Sequence, residues 1–313
     1  MLAIIIPYFK LEFFEETLLS LANQTNKQFK VYIGNDASPY DCSDLIEKYK
    51  QKIDLVYHNF ESNLGSISLI QQWERCIELS GNENWLMLLG DDDVLGNNVV
   101  EEFYNFLESN NKEVDLIRFN LKVIDENGGL KSQPFDHEVH ETSEKLLDQM
   151  LLMKETITAS EFIFSRDVYN RNDGFVEFPL AWFSDYATWL VFSKNTGVFY
   201  IKNAIVHWRL SQSNISSVVS TEKNIQLKIK SLFLFMYFVQ TNFNIENKRL
   251  KSYTHSQLIN FFGNISDFVK IRILRKEFFK FRFKLADIII LEFIFDRIKR
   301  KKIKNLWKYL YRT

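Results

Sequence analysis

Residues 85–93, Trp-Leu-Met-Leu-Leu-Gly-Asp-Asp-Asp, join an apolar run to three consecutive carboxylates. The apolar run predicts a buried strand at residues 85–89 that stops at Gly90. Three adjacent carboxylates repel one another unless water solvates them or a cation neutralises them. Because Mg²⁺ and Mn²⁺ take oxygen ligands, Asp91, Asp92 and Asp93 at the tip of a buried strand favour a metal site. An acidic turn in water is the alternative.

Strand and helix patterns alternate on the N-terminal side of this stretch. The strand-like segments are residues 2–6, which Pro7 ends, 30–34 and 53–57, and the helical segments are 13–23, 44–50 and 66–79. This alternation is typical of an α/β fold with a mostly parallel central sheet and flanking helices. Ligands of such sheets bind outside the carboxyl ends of the strands. We therefore expect residues 7–9, Asp36 and the three aspartates to line one crevice.

The second half of the chain is less regular. Its predicted elements are a strand at 115–125, a hairpin turn at Asn127-Gly128, a polar loop at 133–142, a helix at 143–153, a strand at 161–164, a helix beginning near Ser184-Asp185, a strand at 198–209, and helices after about 214. We interpret His137 and His140 in the polar loop as surface residues, because they lack zinc-site spacing and cysteine partners. These patterns predict a catalytic domain at residues 1–215 and a helical region at 216–313.

Three further side chains could carry chemistry, and each has a plain structural alternative. Asp36 follows a predicted strand, where it could bind a nucleobase or cap a turn. Asp185 could be a general base or a first-turn acid that the helix dipole favours. His207 ends a strand and could be a metal ligand or a structural histidine. Its neighbour Arg209 could bind a phosphate in bidentate fashion.

Composition excludes several classes of protein. The 313 residues include 10 Gly, 4 Pro and 2 Cys, and 46% are hydrophobic, which excludes collagen, a disulfide scaffold and general disorder. Cys42 and Cys76 fit buried thiols in a reducing compartment, although one bridge is not excluded. The sequence has no dinucleotide-binding Gly motif, P-loop or Gly-x-Ser-x-Gly motif, which argues against dehydrogenases, NTPases and hydrolases. No targeting or spanning segment is evident, so we expect a cytoplasmic protein.

Several motifs, taken in order, resemble those of family 2 glycosyltransferases with the GT-A fold. They are Ala3-Ile4-Ile5-Ile6-Pro7-Tyr8-Phe9, Thr17-Leu18-Leu19-Ser20-Leu21 with Gln24-Thr25, Val31-Tyr32-Ile33-Gly34-Asn35-Asp36-Ala37-Ser38, Asn63-Leu64-Gly65, residues 88–95, Asn172-Asp173-Gly174-Phe175, Ser184-Asp185, and Trp208-Arg209 with Ser213-Asn214-Ile215-Ser216. The resemblance covers roughly residues 2–216. In two places the chain departs from the family pattern: Gly90 stands where many relatives have Asp, and Ser184 stands where most have Glu.

This resemblance implies an activated sugar donor, most often a UDP-sugar, bound with Mn²⁺ or Mg²⁺. The residues that it assigns to the nucleotide sugar are Pro7, Phe9, Asp36, Gly65 and Asp91. It places the metal at Asp92 or, in an alternative register, Asp93, and we include His207 as a further candidate ligand. The metal offsets the charge on the departing diphosphate. Asp185 would deprotonate the acceptor hydroxyl, and the single displacement would invert the anomeric centre.

Residues 270–313 carry 15 Lys+Arg and 4 Asp+Glu, a net charge of +11 that leaves −12 on the rest of the chain. Basic helices with aromatic residues suit an anionic membrane surface, although the same helices could pack on the core. The large apolar side chains argue against a nucleic-acid partner. We therefore expect an enzyme of surface polysaccharide synthesis (capsule or O-antigen), acting on a glycan or lipid-linked acceptor at the inner face of the cell membrane. The alternatives are a sugar-1-phosphate nucleotidyltransferase and a non-catalytic protein that binds nucleic acid or anionic lipid.

Overall fold

The computed structural model describes residues 1–212 and 221–262. The basic segment 270–313 and Ser213, Asn214, Ile215 and Ser216 lie outside these residues, as does the predicted domain boundary near 215. The described chain divides into two compact units. The first comprises residues 1–177 and 183–212, and the second comprises 178–182 and 221–262.

Nine strands of the described chain form one sheet in the first unit. They are β1 (Leu2–Tyr8), β2 (Phe29–Asn35), β3 (Leu55–Asn59), β4 (Trp85–Leu88), β5 (Val94–Leu95), β6 (Leu116–Ile124), β7 (His140–Glu141), β8 (Phe162–Ser165) and β9 (Val198–Arg209). The strand order is β3-β2-β1-β4-β8-β6-β9-β5, and β7 pairs with β9. β1 to β4, β6 and β9 point in one direction, because β4 and β6 are both antiparallel to β8 and β9 is parallel to β6. The predicted α/β fold with a mostly parallel sheet is confirmed.

The described helices cover the sheet in the first unit and make up most of the second. They are α1 (Phe14–Ala22), α2 (Ser43–Lys50), α3 (Leu69–Ile77), α4 (Val99–Ser109), α5 (Ser143–Leu152), α6 (Arg166–Arg171) and α7 (Ser184–Phe192) in the first unit, and α8 (Glu222–Asn242) and α9 (Asn247–Phe262) in the second. The second unit also contains the short 3₁₀ turn Pro179–Ala181. Among these helices, none has the length and apolarity that a membrane span requires.

The core lies between the sheet and its helices. Leu2, Ile4 and Ile6 of β1 are fully buried, and each such side chain contributes about 1.5–3 kcal/mol relative to an exposed position. Helix α3 begins where Ser68 accepts a hydrogen bond from the backbone N–H of Gln71, a cap typical of helix N-termini. Cys42 and Cys76 are buried free thiols.

Strand β1 continues through Pro7 to Tyr8, so the predicted stop at Pro7 is wrong. Alternate residues of a strand bond to opposite neighbours, and the carbonyl of Ile5 accepts from Leu89 on the β4 side. The backbone of Pro7 faces the β4 side as well, but the pairing of β1 with β4 ends at Leu88, opposite Ile5. Its missing N–H therefore removes no hydrogen bond from the sheet.

The loop between β6 and α5 also differs from the prediction, because His137 is 5% exposed rather than on the surface. Its ring nitrogens lie 3.0 Å from Glu155 Oε2 and 3.8 Å from Glu141 Oε1. His140 is half-buried, and its Nε2 lies 2.7 Å from the carbonyl oxygen of Thr196. Two carboxylates compensate the burial of His137: Glu141 lies four residues away in the same loop, whereas Glu155 lies outside residues 133–142 and could not be assigned to His137 from the loop sequence.

Candidate active site

The three aspartates after β4, here called the acidic triplet, lie at the carboxyl edge of the parallel strands. Asp91, Asp92 and Asp93 are 4%, 7% and 2% exposed. They are therefore not an acidic turn in water. Burying three carboxylates requires specific compensation, because each loses its hydration shell. The three side chains obtain this compensation in three different ways.

Asp91 holds the loop that leaves β1. Its Oδ2 accepts the backbone N–H groups of Phe9 at 2.8 Å and Lys10 at 2.6 Å. Ser38 Oγ donates to the carbonyl of Phe9 at 2.7 Å, and the backbone N–H of Asp36 donates to the carbonyl of Tyr8 at 3.0 Å. The structure thus brings the loops after β1, β2 and β4 together. The Phe9 side chain stands at this edge with 37% of its surface exposed.

Asp93 points into the protein. Its Oδ2 accepts the hydroxyl of Ser160, and its Oδ1 accepts the backbone N–H of Arg209 at 3.0 Å. Thr17 Oγ1 donates to its backbone carbonyl at 2.8 Å. Both carboxylate oxygens are bonded to the protein and link β9 to the segment before β8, while the backbone carbonyl of Asp93 links α1.

Asp92 differs from its two neighbours, since its carboxylate contacts the side-chain ammonium of Lys10 through Oδ2. Within residues 1–212 and 221–262, no group donates a hydrogen bond to its Oδ1. The Lys10 ammonium also lies 3.5 Å from Asp91 Oδ1. Burial alone would lower the pKa of Lys10, but the carboxylates of Asp91 and Asp92 outweigh burial and raise it. Lys10 is therefore a charged ammonium between two carboxylates.

Burial raises the pKa of the Asp91 and Asp93 carboxyls, and the charge of Asp92 adds to the shift in both. The Lys10 ammonium and the backbone N–H groups on Asp91 oppose the shift, as do Ser160 and the Arg209 N–H on Asp93. The triplet as a whole is short of positive charge. Such a deficit is the condition under which carboxylates recruit a cation.

The residues of the triplet fit a divalent ion at one carboxylate. Among the described residues, no donor bonds to Oδ1 of Asp92. Both oxygens of Asp93 accept hydrogen bonds from the protein, and Asp91 accepts two through Oδ2, with its Oδ1 3.5 Å from the Lys10 ammonium. His207 does not belong to a metal-binding cluster: among the described residues, no three His, Cys, Asp or Glu side chains group as a metal site. Burial lowers the pKa of His207, and among the described residues its buried Nδ1 has no hydrogen-bond partner.

His207 is half-buried in β9, where it pairs with Val94 of β5. Its neutral ring keeps a nitrogen that no protein group occupies. The structure therefore leaves His207 available as a ligand without bringing it into a metal set.

Asp36 is buried at the end of β2 and is committed to the loop before α3. Its Oδ1 accepts the backbone N–H of Leu64 at 2.7 Å and its Oδ2 that of Gly65 at 2.9 Å. Arg75 of α3 donates to Oδ1 at 2.5 Å, and its guanidinium lies 3.9 Å from the centre of the Phe60 ring. A side chain at position 65 would place its Cβ 2.6 Å from Asp36 Oδ2. Glycine is therefore required at position 65 for this contact.

Asp185 lies in the first turn of α7 and is half-buried. Burial raises its pKa to about 7, although the backbone N–H of Tyr186 donates to its Oδ1 at 2.9 Å and opposes this. The negative charge of Glu161 adds to the rise. A carboxyl with this pKa can accept a proton near neutral pH.

The backbone just before Asp185 is strained. Phe183, the residue before α7, has a φ of +67°, a conformation that costs a non-glycine residue about 1–3 kcal/mol.

Ser160, which binds Asp93, is followed by Glu161, whose negative charge raises the pKa of Asp185. The start of β8 therefore connects the acidic triplet with Asp185.

Arg209 does not face a phosphate site, so the bidentate interpretation is wrong. Its side chain is 1% exposed, and its guanidinium donates to the carbonyl of Asp92 at 3.0 Å and to Glu16 Oε2 at 2.5 Å. A further donor lies 3.2 Å from the carbonyl of Asp125. Arg209 thus fixes the backbone of the triplet.

Sequence reasoning missed Lys10, Arg75 and Ser160. Lys10 comes directly after the predicted crevice residues 7–9, so its position was a usable signal. Arg75 is one of several polar residues on a helix, and Ser160 is an ordinary serine. Nothing in the local sequence marks either as a partner of a buried aspartate.

Comparisons with known proteins agree with the α/β fold. The family model described as "Glycosyl transferase family 2" matches residues 3–172. A search of curated proteins found no match.

Solved structures of S. aureus TarS share the fold. The structure of TarS 1–349 with UDP-GlcNAc has a TM-score of 0.65 and 15% identity, covering 88% of this chain and 80% of that one. The structure of TarS 1–349 with UDP has a TM-score of 0.55 and 16% identity, covering 84% and 72%. A longer TarS structure has a TM-score of 0.62 and 16% identity, with 92% of this chain but only 50% of that chain covered.

Proposed function

The chain belongs to glycosyl transferase family 2, and from this premise we propose that it transfers a sugar from a UDP-sugar to a hydroxyl of a glycan or lipid-linked acceptor. Two structural neighbours are complexes of TarS with UDP and with UDP-GlcNAc. In this chain, the loops after β1, β2 and β4 meet at one edge of the sheet. That convergence of Phe9, Asp36 and Asp91 is the observation that carries the proposal.

Pro7, Phe9, Asp36, Gly65 and Asp91 hold the nucleotide sugar in this proposal. Asp36 fixes the Gly65 loop, and Asp91 fixes the backbone of the β1 loop. Their role is to shape the nucleoside site through the backbone that they anchor. Binding energy from the nucleoside then positions the sugar for reaction.

Asp92 holds a divalent ion, Mn²⁺ or Mg²⁺, with Asp93 and His207 as further candidates. When bound, the ion offsets the negative charge that develops on the departing diphosphate. The triplet's shortage of positive charge supports this assignment.

Asp185 acts as the general base. It accepts the proton of the acceptor hydroxyl, whose oxygen forms the new bond to the anomeric carbon while the bond to the diphosphate oxygen breaks. One displacement of this kind inverts the anomeric centre. The raised pKa of Asp185 supports the role, because a carboxyl of ordinary pKa is a weaker proton acceptor.

We further propose that the product is a surface polysaccharide, a capsule or O-antigen, and that the enzyme acts from the cytoplasm at the inner face of the cell membrane. The basic segment 270–313 supports this location through its +11 charge and its attraction to anionic lipid.

A donor panel tests the function. The purified chain is incubated with UDP-GlcNAc, other UDP-sugars and other nucleotide sugars, with Mn²⁺, and released nucleoside diphosphate is measured. Release of nucleoside diphosphate from one donor in the presence of an acceptor, and the loss of that release in Asp185→Asn, support the proposal. Turnover of a nucleoside triphosphate with a sugar 1-phosphate would instead support nucleotidyl transfer. No turnover of any donor, with nucleic acid or lipid bound, would support a binding protein.

A further inference from the structure

Lys10 occupies an unusual place for a cation of the protein itself. It follows β1 (Leu2–Tyr8), its backbone N–H donates to Asp91 at 2.6 Å, and its ammonium contacts Asp92. The side chain of Lys10 is 26% exposed, against 6% for Asp91 and 10% for Asp92. The ammonium therefore covers the two carboxylates on their solvent side.

The contact bears on how a divalent ion reaches Asp92. Asp93 has both oxygens bonded to the protein, and Asp91 accepts two backbone N–H groups through Oδ2 while its Oδ1 faces the Lys10 ammonium at 3.5 Å. Asp92, whose Oδ1 accepts no hydrogen bond from the described residues, is therefore the carboxylate at which we expect an ion to associate. An ion bound there would lie close to the Lys10 ammonium, and like charges a few ångströms apart repel strongly where water is scarce. The Lys10 ammonium and the divalent ion therefore compete for Asp92.

We propose that Lys10 is a positioning residue that serves as the built-in counter-cation of Asp91 and Asp92, yields Asp92 to the divalent ion, and then binds an oxygen of the donor diphosphate. The inference rests on the proposed function and deepens it. The nucleotide-free protein should accordingly bind metal weakly, and the metal and diphosphate should bind together.

The chemistry of lysine suits such an exchange. Its ammonium is a compact point charge on a flexible stem, and it binds phosphate oxygens without a fixed geometry. The partial exposure of Lys10 leaves its stem room to move. The hydrogen bond from the Lys10 backbone N–H to Asp91 keeps Lys10 at the site while its side chain moves.

Metal binding to the nucleotide-free protein tests the first half of the proposal, the competition between Lys10 and the divalent ion for Asp92. Free Mn²⁺ is measured by electron paramagnetic resonance for the wild type, Lys10→Met and the control Lys48→Met, whose lysine pairs with Glu15 on the surface. We expect Lys10→Met to bind Mn²⁺ about 10–100-fold more tightly, the effect of removing one like charge at close range. Lys48→Met and Lys10→Arg should match the wild type, and the added change Asp92→Asn should abolish the gain.

Equal Mn²⁺ affinity in the wild type and Lys10→Met, or no binding in either, would overturn the inference. The second half is tested by calorimetry with UDP at saturating Mn²⁺, where Lys10→Met should lose about tenfold in affinity. Unchanged UDP affinity would overturn the transfer of Lys10 to the diphosphate. Thermal unfolding confirms that each variant is folded. Failure of the proposed function is a separate result, because it would appear as no donor turnover in the wild type.

Discussion

Replacing Asp185 by Asn should lower turnover and, at the same time, stabilise the protein above neutral pH. The side chain is half-buried, and burial raises its pKa from 3.8 to about 7. The amide cannot accept the acceptor proton, so we expect turnover to fall about 10²–10⁴-fold, with donor affinity near that of the wild type.

The effect on stability follows from the direction of the shift. Below about pH 4 the carboxyl is protonated in both the folded and unfolded states, so it does not change the free energy of unfolding with pH there. Between about pH 4 and 7 the folded protein binds more protons than the unfolded chain, so stability falls as the pH rises. A shift of about three pKa units corresponds to at most ~4 kcal/mol, and partial exposure reduces the expected gain in Asp185→Asn to about 1–2 kcal/mol at pH 8.

Thermal unfolding at pH 5 and pH 8 measures this gain, alongside steady-state kinetics from pH 5 to 9. The wild-type rate should rise through a pH near 7, as the base loses its proton. Asp167→Asn is the matched control, because Asp167 is an exposed acid in the first turn of α6. Equal stability changes at both pH values, or loss of donor binding with turnover retained, would refute the assignment.

Three further changes test other parts of the site. Asp92→Asn should abolish transfer and weaken Mn²⁺-assisted UDP binding about tenfold or more with the fold intact, and undiminished binding by calorimetry would move the site to Asp93. Gly65→Ala should weaken UDP binding and destabilise the protein by about 1–3 kcal/mol, since the new Cβ meets Asp36 at 2.6 Å; thermal unfolding and UDP titration measure both. Removing residues 270–313 should abolish salt-sensitive co-sedimentation with anionic vesicles but keep donor hydrolysis, whereas equal binding to neutral vesicles would contradict the electrostatic role.

The fold was predictable because its signals are local. The buried strand before Asp91 and the apolar face of α3 follow from patterns within a few residues of each element. Strand β9 (Val198–Arg209) has the predicted bounds. The missed extension of β1 through Pro7 depended on which neighbour Pro7 faces, and a single strand does not contain that information.

The chemistry of the site was predictable only in residue type. The sequence placed three carboxylates at a strand end, but it left open which one could hold a metal. That distinction comes from Ser160 and Arg209, which lie 67 and 116 residues from Asp93. Long-range hydrogen bonds of this kind depend on strand order and register, so no local pattern encodes them.

In the proposed mechanism, the surroundings of two neighbouring acids favour Asp185 over Glu161 as the general base. Glu161 is fully buried, and Arg118 lies 3.2 Å from its Oε1. Within the described residues no cation pairs with Asp185, so its ionised form lacks such compensation. Burial raises the pKa of Glu161 as well, although Arg118 and Thr158 oppose the shift. The feature that favours Asp185 is therefore its partial exposure, which leaves it accessible to an acceptor hydroxyl. In the proposed mechanism, Lys10 supplies a cation at Asp92 and no cation of the described residues pairs with Asp185, so donor binding and acceptor activation take place in different electrostatic surroundings.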